Sequence, residues 1–288
     1  MKPRLLVLGS SGQLASALAE LGTAGPFTLT CLGRPALDLA RAAEAETAVR
    51  SLKPDIIINA AAYTAVDRAE AEPETAHAIN AEGPGHLSGL ANTLGIPFIH
   101  VSSDYVFDGS KPTPWLETDP VNPLSAYGRS KLAGELAVAG ANPRHVILRT
   151  SWVYHHSGQN FLLTMRRLAA EGKTLRVVAD QFGAPTSAAL LAGGLLQVAS
   201  KLMDEPSNAA LNGIFHMTSS GHTSWHGFAQ AILGPGVQVD AISSADYPVA
   251  AKRPRNSRLD CSKLQATYGI RLPDWREGLA QCMEHLPR

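Results

Sequence analysis

The chain has 288 residues, 45% of them hydrophobic and 17% charged, which is typical of a globular protein with one large or two modest domains around a substantial core. Its 25 basic and 25 acidic residues give a formal net charge of zero, so the sequence lacks the basic surface that a nucleic-acid backbone requires. The apolar run near the N-terminus is too short for a signal peptide or a membrane span. Proline, glycine and polar residues interrupt the uncharged stretch 181–200. We therefore expect a cytoplasmic protein that binds neither nucleic acid nor membrane.

Short apolar runs alternate with helical patterns over the first 150 residues. The candidate strands are RLLVLG, FTLTCL, DIIINA, PFIHVS and HVILRT, and the candidate helices begin near Gly12, Leu39, Glu72 and Leu124. Continuous apolar runs of this length are typical of parallel strands that are buried on both faces. The alternation predicts an α/β fold in which residues 1–150 form a doubly wound, Rossmann-like parallel sheet that binds a dinucleotide.

The pattern changes after RTSWVY. We predict a helix near 161–171, a strand at TLRVV, a loop at ADQFGAPTSA, a helix to about Leu202 and a strand at GIFHM, before a segment rich in proline, serine and arginine. We therefore expect residues 151–288 to form a smaller, mainly substrate-binding α/β portion whose segments are interleaved with the first domain.

Two glycines lie where the first strand gives way to the first helix. Gly9 permits a tight turn, Gly12 lets a pyrophosphate approach the backbone, and Ala15 is small enough for close packing of the helix. The phosphates would lie over the helix N-terminus, which favours negative charge. A strand-to-helix turn also favours glycine without any ligand, but the position inside a repeated βα pattern favours dinucleotide binding.

The end of the second strand indicates which dinucleotide binds. An acidic residue there usually meets the ribose of NADH, whereas an arginine accommodates the 2′-phosphate of NADPH. Here the strand ends in TCLGRP, with Arg34 and no acid before Asp38. The sequence favours NADPH, with NADH as a second possibility and a solvated loop arginine as the alternative interpretation of Arg34.

Tyr127 and Lys131 are four residues apart on a predicted helix, so they share one face. A neighbouring ammonium favours phenolate and lowers the pKa of a tyrosine, which would allow Tyr127 to protonate a carbonyl oxygen as hydride arrives. The same spacing occurs by chance in many helices, so the pair requires supporting residues.

The fourth predicted strand ends in two serines at the edge where a parallel sheet binds ligands. Either Ser102 or Ser103 could bind the substrate oxygen. Successive strand residues point to opposite faces, so only one of the two should do so.

The cysteines and histidines do not suggest a metal site. Cys31, Cys261 and Cys282 are widely spaced and are expected to be free thiols. His155 and His156 are adjacent, and we expect their side chains to diverge. We predict no bound metal.

Seven blocks of the sequence resemble those of the dTDP-4-dehydrorhamnose reductases, a family of extended short-chain dehydrogenases/reductases. The blocks are the glycine loop, NAAAYTAVDRAEAEPETAHAINAEG, VSSDYVFDG, NPLSAYGRSKLAGE, LRTSWVY, DQFGAPTSA and RPRNSRLDCSKL. The resemblance runs nearly from end to end and implies a Rossmann-like enzyme that uses a nicotinamide cofactor.

The resemblance also implies a role for individual residues. Ser103 would be the catalytic hydroxyl, Tyr127 the acid, and Lys131 the group that tunes it and holds the ribose. The implied cofactor contacts are Gly9, Gly12, Gln13 and Leu14 at the phosphates, Asp38 and Leu39 near the adenine, and Ala62, Tyr63 and Thr64 along the channel. The implied substrate contacts are Ser103, Asp104, Tyr105 and Trp152.

The activity that the resemblance implies is reduction of the C4 keto group of dTDP-4-dehydro-β-L-rhamnose to dTDP-L-rhamnose. An epimerase or dehydratase of the same superfamily and a non-catalytic, NADP-binding regulatory subunit are the alternatives. Some family members hold a metal at a dimer interface through glutamates, one of them in the first helix. This chain has Ala15 and Ala17 there and no acid before Glu20, so we expect a monomer or a weak homodimer.

Overall fold

The computed structural model describes residues 1–22 and 25–286. The strands in these ranges follow in chain order: β1 Arg4–Leu8, β2 Thr28–Leu32, β3 Ile56–Asn59, β4 Phe98–Ser103, β5 His145–Thr150, β6 Val153–Tyr154, β7 Leu175–Val178, β8 Phe182–Gly183, β9 Thr186–Ser187, β10 Gly213–His216, β11 Thr223–Ser224 and β12 Val239–Ile242.

The α-helices of the described ranges are α1 Gln13–Gly22, α2 Ala42–Leu52, α3 Val66–Ala69, α4 Pro73–His77, α5 Gly83–Thr93, α6 Ala126–Ala141, α7 Phe161–Ala170, α8 Ala188–Asp204, α9 Trp225–Leu233, α10 Ser262–Tyr268 and α11 Trp275–Glu284. A π-helical turn, Ala78–Glu82, joins α4 to α5. The predicted strands and helices are confirmed with shifts of a few residues at their ends. The segment ADQFGAPTSA, predicted as a loop, instead contains the short strands β8 and β9.

A six-stranded sheet in the order β10-β5-β4-β3-β1-β2 forms the centre of the molecule. All of its strand pairs are parallel. The strand order reverses between β1 and β3, which is the point where doubly wound sheets bind ligands beyond the carboxyl ends of their strands. The predicted α/β class is therefore confirmed, and the edge strand β10 shows that the C-terminal half contributes to this sheet.

Two layers of helices bury the faces of the sheet. On one face, α1 and α8 pack together over β1 and β3, with Leu18, Leu191 and Leu195 inaccessible to solvent. On the other face, α2, α5 and α6 pack on the sheet around Leu87 and Val138. Burial of these apolar side chains is the main force that holds the layers together.

Smaller strand pairs lie beyond the carboxyl edge of the main sheet. They are β7 with β12, β8 with β11, and β6 with β9. A separate apolar core, formed by residues such as Tyr154, Phe228 and Trp275, supports them. None of the helices in 1–22 and 25–286 combines the length and apolar character needed to cross a bilayer.

Helix α6 begins where its sequence predicts. Ser125 is extended and its side chain accepts a hydrogen bond from the backbone N–H of Gly128, which satisfies one of the free donors of the first turn. A Cβ on Gly128 would lie 2.3 Å from the carbonyl oxygen of Tyr105, so only glycine allows this close approach. The packing places the first turns of α6 against the end of β4.

Candidate active site

A cleft of about 930 Å³ opens at the carboxyl ends of β1 and β3. Every site residue predicted from the sequence lines it. These residues are Gly9, Gly12, Gln13, Leu14, Arg34, Asp38, Leu39, Ala62, Tyr63, Thr64, Ser103, Asp104, Tyr105, Tyr127, Lys131 and Trp152. The topology thus brings together side chains from segments more than 140 residues apart.

The glycine loop has the conformation that close packing requires. Gly9 has a φ of +117°, and a Cβ there would lie 3.5 Å from the Cβ of Ala15 and 3.4 Å from the backbone nitrogen of Ala61. A Cβ on Gly12 would instead project into open space. The first turn of α1 lies beside this space, so backbone N–H groups and the helix dipole favour an anion there.

The residues that follow β2 line one side of the cleft. Arg34 is exposed at the rim, and Leu39 is buried. Asp38 accepts a hydrogen bond from the backbone N–H of Ala40 at 3.0 Å, which holds the turn into α2. A Cβ on Gly33 would lie within 3.0 Å of Ser10, so this second glycine allows the two loops to meet.

The loop after β3 is held by a buried asparagine. Asn80 accepts from the backbone N–H of Tyr63 at 2.8 Å and donates to the Tyr63 carbonyl at 3.1 Å. Its amide also donates to Ser130 at 2.9 Å. The backbone of Ala62 and Thr64 is thereby fixed along the cleft beside α6.

The two serines at the end of β4 point to opposite faces, as the alternation of strand residues predicts. Ser102 donates to Glu135 at 2.6 Å. Ser103 donates to Asp104 at 3.0 Å and accepts from the backbone N–H of Tyr105 at 3.2 Å. Of the two serines, Ser103 is the one whose hydroxyl acts on Tyr127, where it lowers the pKa of the phenol.

The expected lowering of the Tyr127 pKa is wrong. Burial, foremost, raises the pKa of Tyr127 to about 12; the hydrogen bond with Ser103 opposes the rise and the charge of Asp104 adds to it. Phenolate is disfavoured because the side chain is removed from water. Tyr127 is consequently protonated at neutral pH and can act as a proton donor.

The Lys131 ammonium points towards the strand. Its Nζ donates to the carbonyl oxygen of Val101 at 2.8 Å and lies 3.4 Å from Nε2 of His100. Burial lowers the pKa of Lys131 to about 8, although the nearby Glu135 charge raises it. Burial and then the charge of Lys131 hold the pKa of His100 well below its usual range. The lysine keeps its charge below about pH 8.

Asp104 has an electrostatic environment suited to a polar ligand. Burial raises the pKa of this carboxyl to about 6, and the nearby hydroxyls of Ser257 and Ser103 oppose the rise. Its Oδ2 atom is buried and has no hydrogen-bond partner within 1–22 and 25–286. Such an atom is available to a ligand that brings its own donor.

Trp152 provides an aromatic surface at the far side of the cleft. Its ring stacks on Trp225 with centroids 3.7 Å apart and planes 12° apart. Its φ of +51° lies in the left-handed region, which is unusual for a bulky residue and concentrates at functional sites. The strain is held by the packing of the ring against Trp225 and Gly183.

The cysteine prediction is confirmed, because Cys31, Cys261 and Cys282 are free thiols. The expectation that adjacent histidines diverge is wrong. The rings of His155 and His156 lie 3.9 Å apart between centroids. Both approach a carboxylate in α1, outside the cleft.

Comparison with known proteins agrees with this geometry. A family model described as the RmlD substrate binding domain matches residues 2–288. The dTDP-4-dehydrorhamnose reductase of Sinorhizobium fredii is 50% identical over 281 residues, which cover 95% of this chain and 94% of the relative. That of Burkholderia thailandensis is 44% identical over 299 residues, with 98% and 99% covered.

This chain belongs to the dTDP-4-dehydrorhamnose reductase family. Solved structures of the family share its fold. The dTDP-4-dehydrorhamnose reductase of Clostridium acetobutylicum has a TM-score of 0.90 and 36% identity, with 98% of each chain covered. That of Bacillus anthracis, solved in complex with NADP, has a TM-score of 0.90 and 34% identity, with 99% of each chain covered.

Sequence reasoning missed several residues that shape the cleft of this dTDP-4-dehydrorhamnose reductase family member. Asn80 and His100 are fully buried behind Tyr63 and Lys131. A histidine inside the apolar run PFIHVS and an asparagine in a predicted helix are polar interruptions that could have indicated them. Gln159 also lines the cleft. It lies in the short loop between β6 and α7, where no periodic pattern in the sequence could have indicated it.

Proposed function

We propose that this chain catalyses the NADPH-dependent reduction of the C4 keto group of dTDP-4-dehydro-β-L-rhamnose to dTDP-L-rhamnose, the last step of dTDP-rhamnose synthesis. The observation that carries the proposal is the convergence of a protonated phenol, a hydroxyl and an ammonium, from Tyr127, Ser103 and Lys131, in one cleft with the glycine loop. The reductases named above, one of them in complex with NADP, add support.

In the proposed mechanism, NADPH supplies a hydride to the C4 carbon when it is bound. Tyr127 donates its proton to the C4 oxygen as negative charge develops there. Ser103 donates a second hydrogen bond to that oxygen, which stabilises the developing charge. Lys131, charged below about pH 8, stabilises the phenolate that remains on Tyr127.

The glycine loop and the first turn of α1 would hold the cofactor pyrophosphate, with Gly9, Gly12, Gln13 and Leu14 beside it. Asp38 and Leu39 would contact the adenine, Ala62, Tyr63 and Thr64 would line the channel, and Lys131 would bind the ribose. The open space beside Gly12 and the helix N-terminus support this fit.

Arg34 would bind the 2′-phosphate and favour NADPH over NADH, because a guanidinium can make two parallel hydrogen bonds to a phosphate. Arg34→Ala should raise the KM for NADPH about tenfold or more and leave the KM for NADH nearly unchanged. If the KM for NADPH and the KM for NADH change equally, Arg34 does not bind the 2′-phosphate.

The substrate would bind on the opposite side of the cleft. Asp104 Oδ2 would accept a hydrogen bond from a sugar hydroxyl, because this buried oxygen has no other partner in the described residues. Tyr105 and Trp152 would give apolar surface to the sugar nucleotide.

We further propose that residues 1–150 form the dinucleotide-binding domain and that 151–288 form mainly the substrate-binding portion, of which residues 287–288 lie outside the described ranges. The pairing of β10 with β5 supports interleaved segments. We expect no nucleic-acid partner, since the formal net charge is zero. We also expect a cytoplasmic protein without a membrane partner, and a monomer or weak homodimer because the first helix has Ala15 and Ala17 and no acid before Glu20.

The experiment is a spectrophotometric assay of NADPH oxidation by the purified chain. The dTDP-linked 4-keto sugar and its UDP-linked counterpart are supplied side by side, and the product is identified as the 4-hydroxy sugar. We expect stoichiometric NADPH consumption with the dTDP-linked sugar.

Each alternative gives a different result in this assay. Conversion of the sugar without net consumption of NADPH would indicate an epimerase or dehydratase. Tight binding of NADPH without turnover of any keto sugar would indicate a non-catalytic subunit. Preference for the UDP-linked sugar would change the substrate while the reaction class stands.

A further inference from the structure

Three metal-ligating side chains join α1 to the loop that follows β6. Glu20 lies in the last turns of α1, and His155 and His156 follow β6 directly. One ligand atom from each lies within 4.8 Å of the other two. The exposed fractions of these side chains are 50%, 1% and 25%, so the cluster has a buried base and one side open to solvent.

The distances between the possible ligand atoms are longer than those of direct hydrogen bonds and fit a shared cation. Nε2 of His155 lies 3.5 Å from Oε2 of Glu20, and Nε2 of His156 lies 3.6 Å from Oε1. An N–H···O hydrogen bond is usually about 2.7–3.2 Å long. Tetrahedral Zn²⁺ with bonds of about 2.0–2.1 Å holds neighbouring ligand atoms roughly 3.3–3.4 Å apart. Both nitrogen–oxygen distances, one to each oxygen of the Glu20 carboxylate, are close to that value.

The buried histidine is oriented as a ligand. Its Nε2 has no hydrogen-bond partner within 1–22 and 25–286, and its Nδ1 lies 2.9 Å from the hydroxyl of Ser157. When Nδ1 donates this bond, the lone pair of Nε2 faces the Glu20 carboxylate, and a cation between the two would give Nε2 a partner. Metal-bound histidines commonly donate their second ring N–H in this way.

We propose that Glu20, His155 and His156 bind one divalent transition-metal ion per chain and that Zn²⁺ is the ion they fit best. Two imidazoles and a carboxylate, which can bind through one or both of its oxygens, form a ligand set that suits Zn²⁺, and the open side admits water as a further ligand. This set is different from the all-oxygen sites that hard cations such as Mg²⁺ prefer.

The ion has a structural role in this arrangement. It ties α1, whose first turn begins at the glycine loop, to the loop that carries Gly158 and Gln159 on the wall of the cleft. The ring of His285, the residue that follows α11, stacks on His156 with centroids 5.3 Å apart, so the end of α11 lies beside the same site. Three segments from distant parts of the chain meet at the ion.

The test uses the full chain after treatment with a chelator, titrated with Zn²⁺ by calorimetry and with Co²⁺ by visible absorption. We expect one ion per chain and the intense absorption of tetrahedral Co²⁺. Glu20→Gln and His156→Asn should each weaken binding at least about tenfold. Zn²⁺ should raise the Tm of the parent chain and leave the Tm of both variants nearly unchanged.

A second histidine–glutamate pair gives the matched control. His86 and Glu46 lie 2.9 Å apart on the surface without a third ligand in the described residues, so His86→Asn and Glu46→Gln should leave metal binding unchanged. Circular dichroism of the metal-free variants checks their folding. The proposal is overturned if the parent chain shows no saturable binding, if the cluster variants bind as tightly as the parent, or if one ion binds per two chains.

Discussion

Two buried polar clusters lie on opposite faces of the end of β4, and they differ in whether both oxygens of their carboxylate have a hydrogen-bond partner within the described residues. On one face, Ser102 and the Nε of Arg149 donate to Oε1 of Glu135, and Nη2 of Arg149 donates to Oε2. On the other face, Ser103 donates to Asp104, whose second oxygen has no partner in the described residues.

This difference separates a structural role from a chemical one. A buried ion pair with hydrogen bonds on both carboxylate oxygens has a fixed charge and fixed geometry, so it can hold β4 against α6 and β5. A carboxyl with an unpaired oxygen, next to a phenol whose pKa burial raises, keeps its capacity to bind a ligand or exchange a proton. Variants of Ser103 and Tyr127 should therefore change mainly kcat, and variants on the Glu135 face mainly the free energy of unfolding.

The largest effect is expected for Tyr127→Phe. Removal of the proton donor should lower kcat by about 10²–10⁴-fold, because the C4 oxygen then receives no proton from the protein. The Kd for NADPH, measured by fluorescence titration, should change little. Ser103→Ala, which removes one hydrogen bond to the same oxygen, should lower kcat by about 10². Turnover by Tyr127→Phe at near the parent rate would exclude the acid role.

Glu135→Gln tests the structural face. The side chains of Glu135 and Arg149 are 2% and 3% exposed, so loss of the negative charge leaves a buried guanidinium uncompensated. The free energy of unfolding, from urea titration, should fall by about 3–5 kcal/mol.

A double variant distinguishes a loss of stability caused by the unpaired charge from one caused by disturbed packing. Glu135→Leu with Arg149→Met replaces both charges by apolar groups and should recover most of the lost stability. If the double variant is less stable than Glu135→Gln, the loss is due to packing and not to the unpaired charge.

Asp104→Asn should have the opposite effect on stability. The pKa of Asp104 is raised from 3.8 to about 6 in the folded chain, so the favourable contribution of its proton is complete below about pH 4 and is lost as the pH rises through 6. Above pH 7 the ionised carboxyl costs roughly 3 kcal/mol at most.

The neutral amide removes that cost, so Asp104→Asn should raise the free energy of unfolding by about 1–3 kcal/mol at pH 7.5 and have little effect at pH 4. Urea titrations at both pH values measure this, and a gain of equal size at the two would contradict the assigned pKa. The KM for the keto sugar should rise, because the amide nitrogen is a poor acceptor.

The sequence predicted those parts of the fold and site that depend on local patterns. Apolar runs located the strands, and the Gly9–Gly12 spacing located the loop over α1, because both follow from chain geometry alone. The alternation of strand residues correctly predicted that Ser102 and Ser103 would face apart. Pattern reasoning left open which serine faced Tyr127, and the resemblance to a known family indicated Ser103.

Properties that depend on long-range packing were not predictable in this way. The pKa of Tyr127 rises because burial outweighs the opposing hydrogen bond with Ser103, and a helical spacing contains no information on burial. His155 and His156 converge on Glu20 only because β6 ends beside α1, more than 130 residues away in sequence. The side chain of Asn80 forms hydrogen bonds with the backbone of Tyr63, 17 residues away, and only folding brings the two together.

The smallest effect is expected for Ser102→Ala, the neighbour of Ser103 on the same strand. Ser102 donates one hydrogen bond to Glu135, and Arg149 still binds both carboxylate oxygens without it. The free energy of unfolding should fall by about 1.5 kcal/mol, the lower end of the usual contribution of a hydrogen bond to a charged group, because Arg149 still compensates the charge. Since Ser102 faces away from Tyr127, kcat should stay within about twofold of the parent. A loss of kcat as large as that of Ser103→Ala would mean that the two clusters act as one, because the position of β4 would then depend on every hydrogen bond to Glu135.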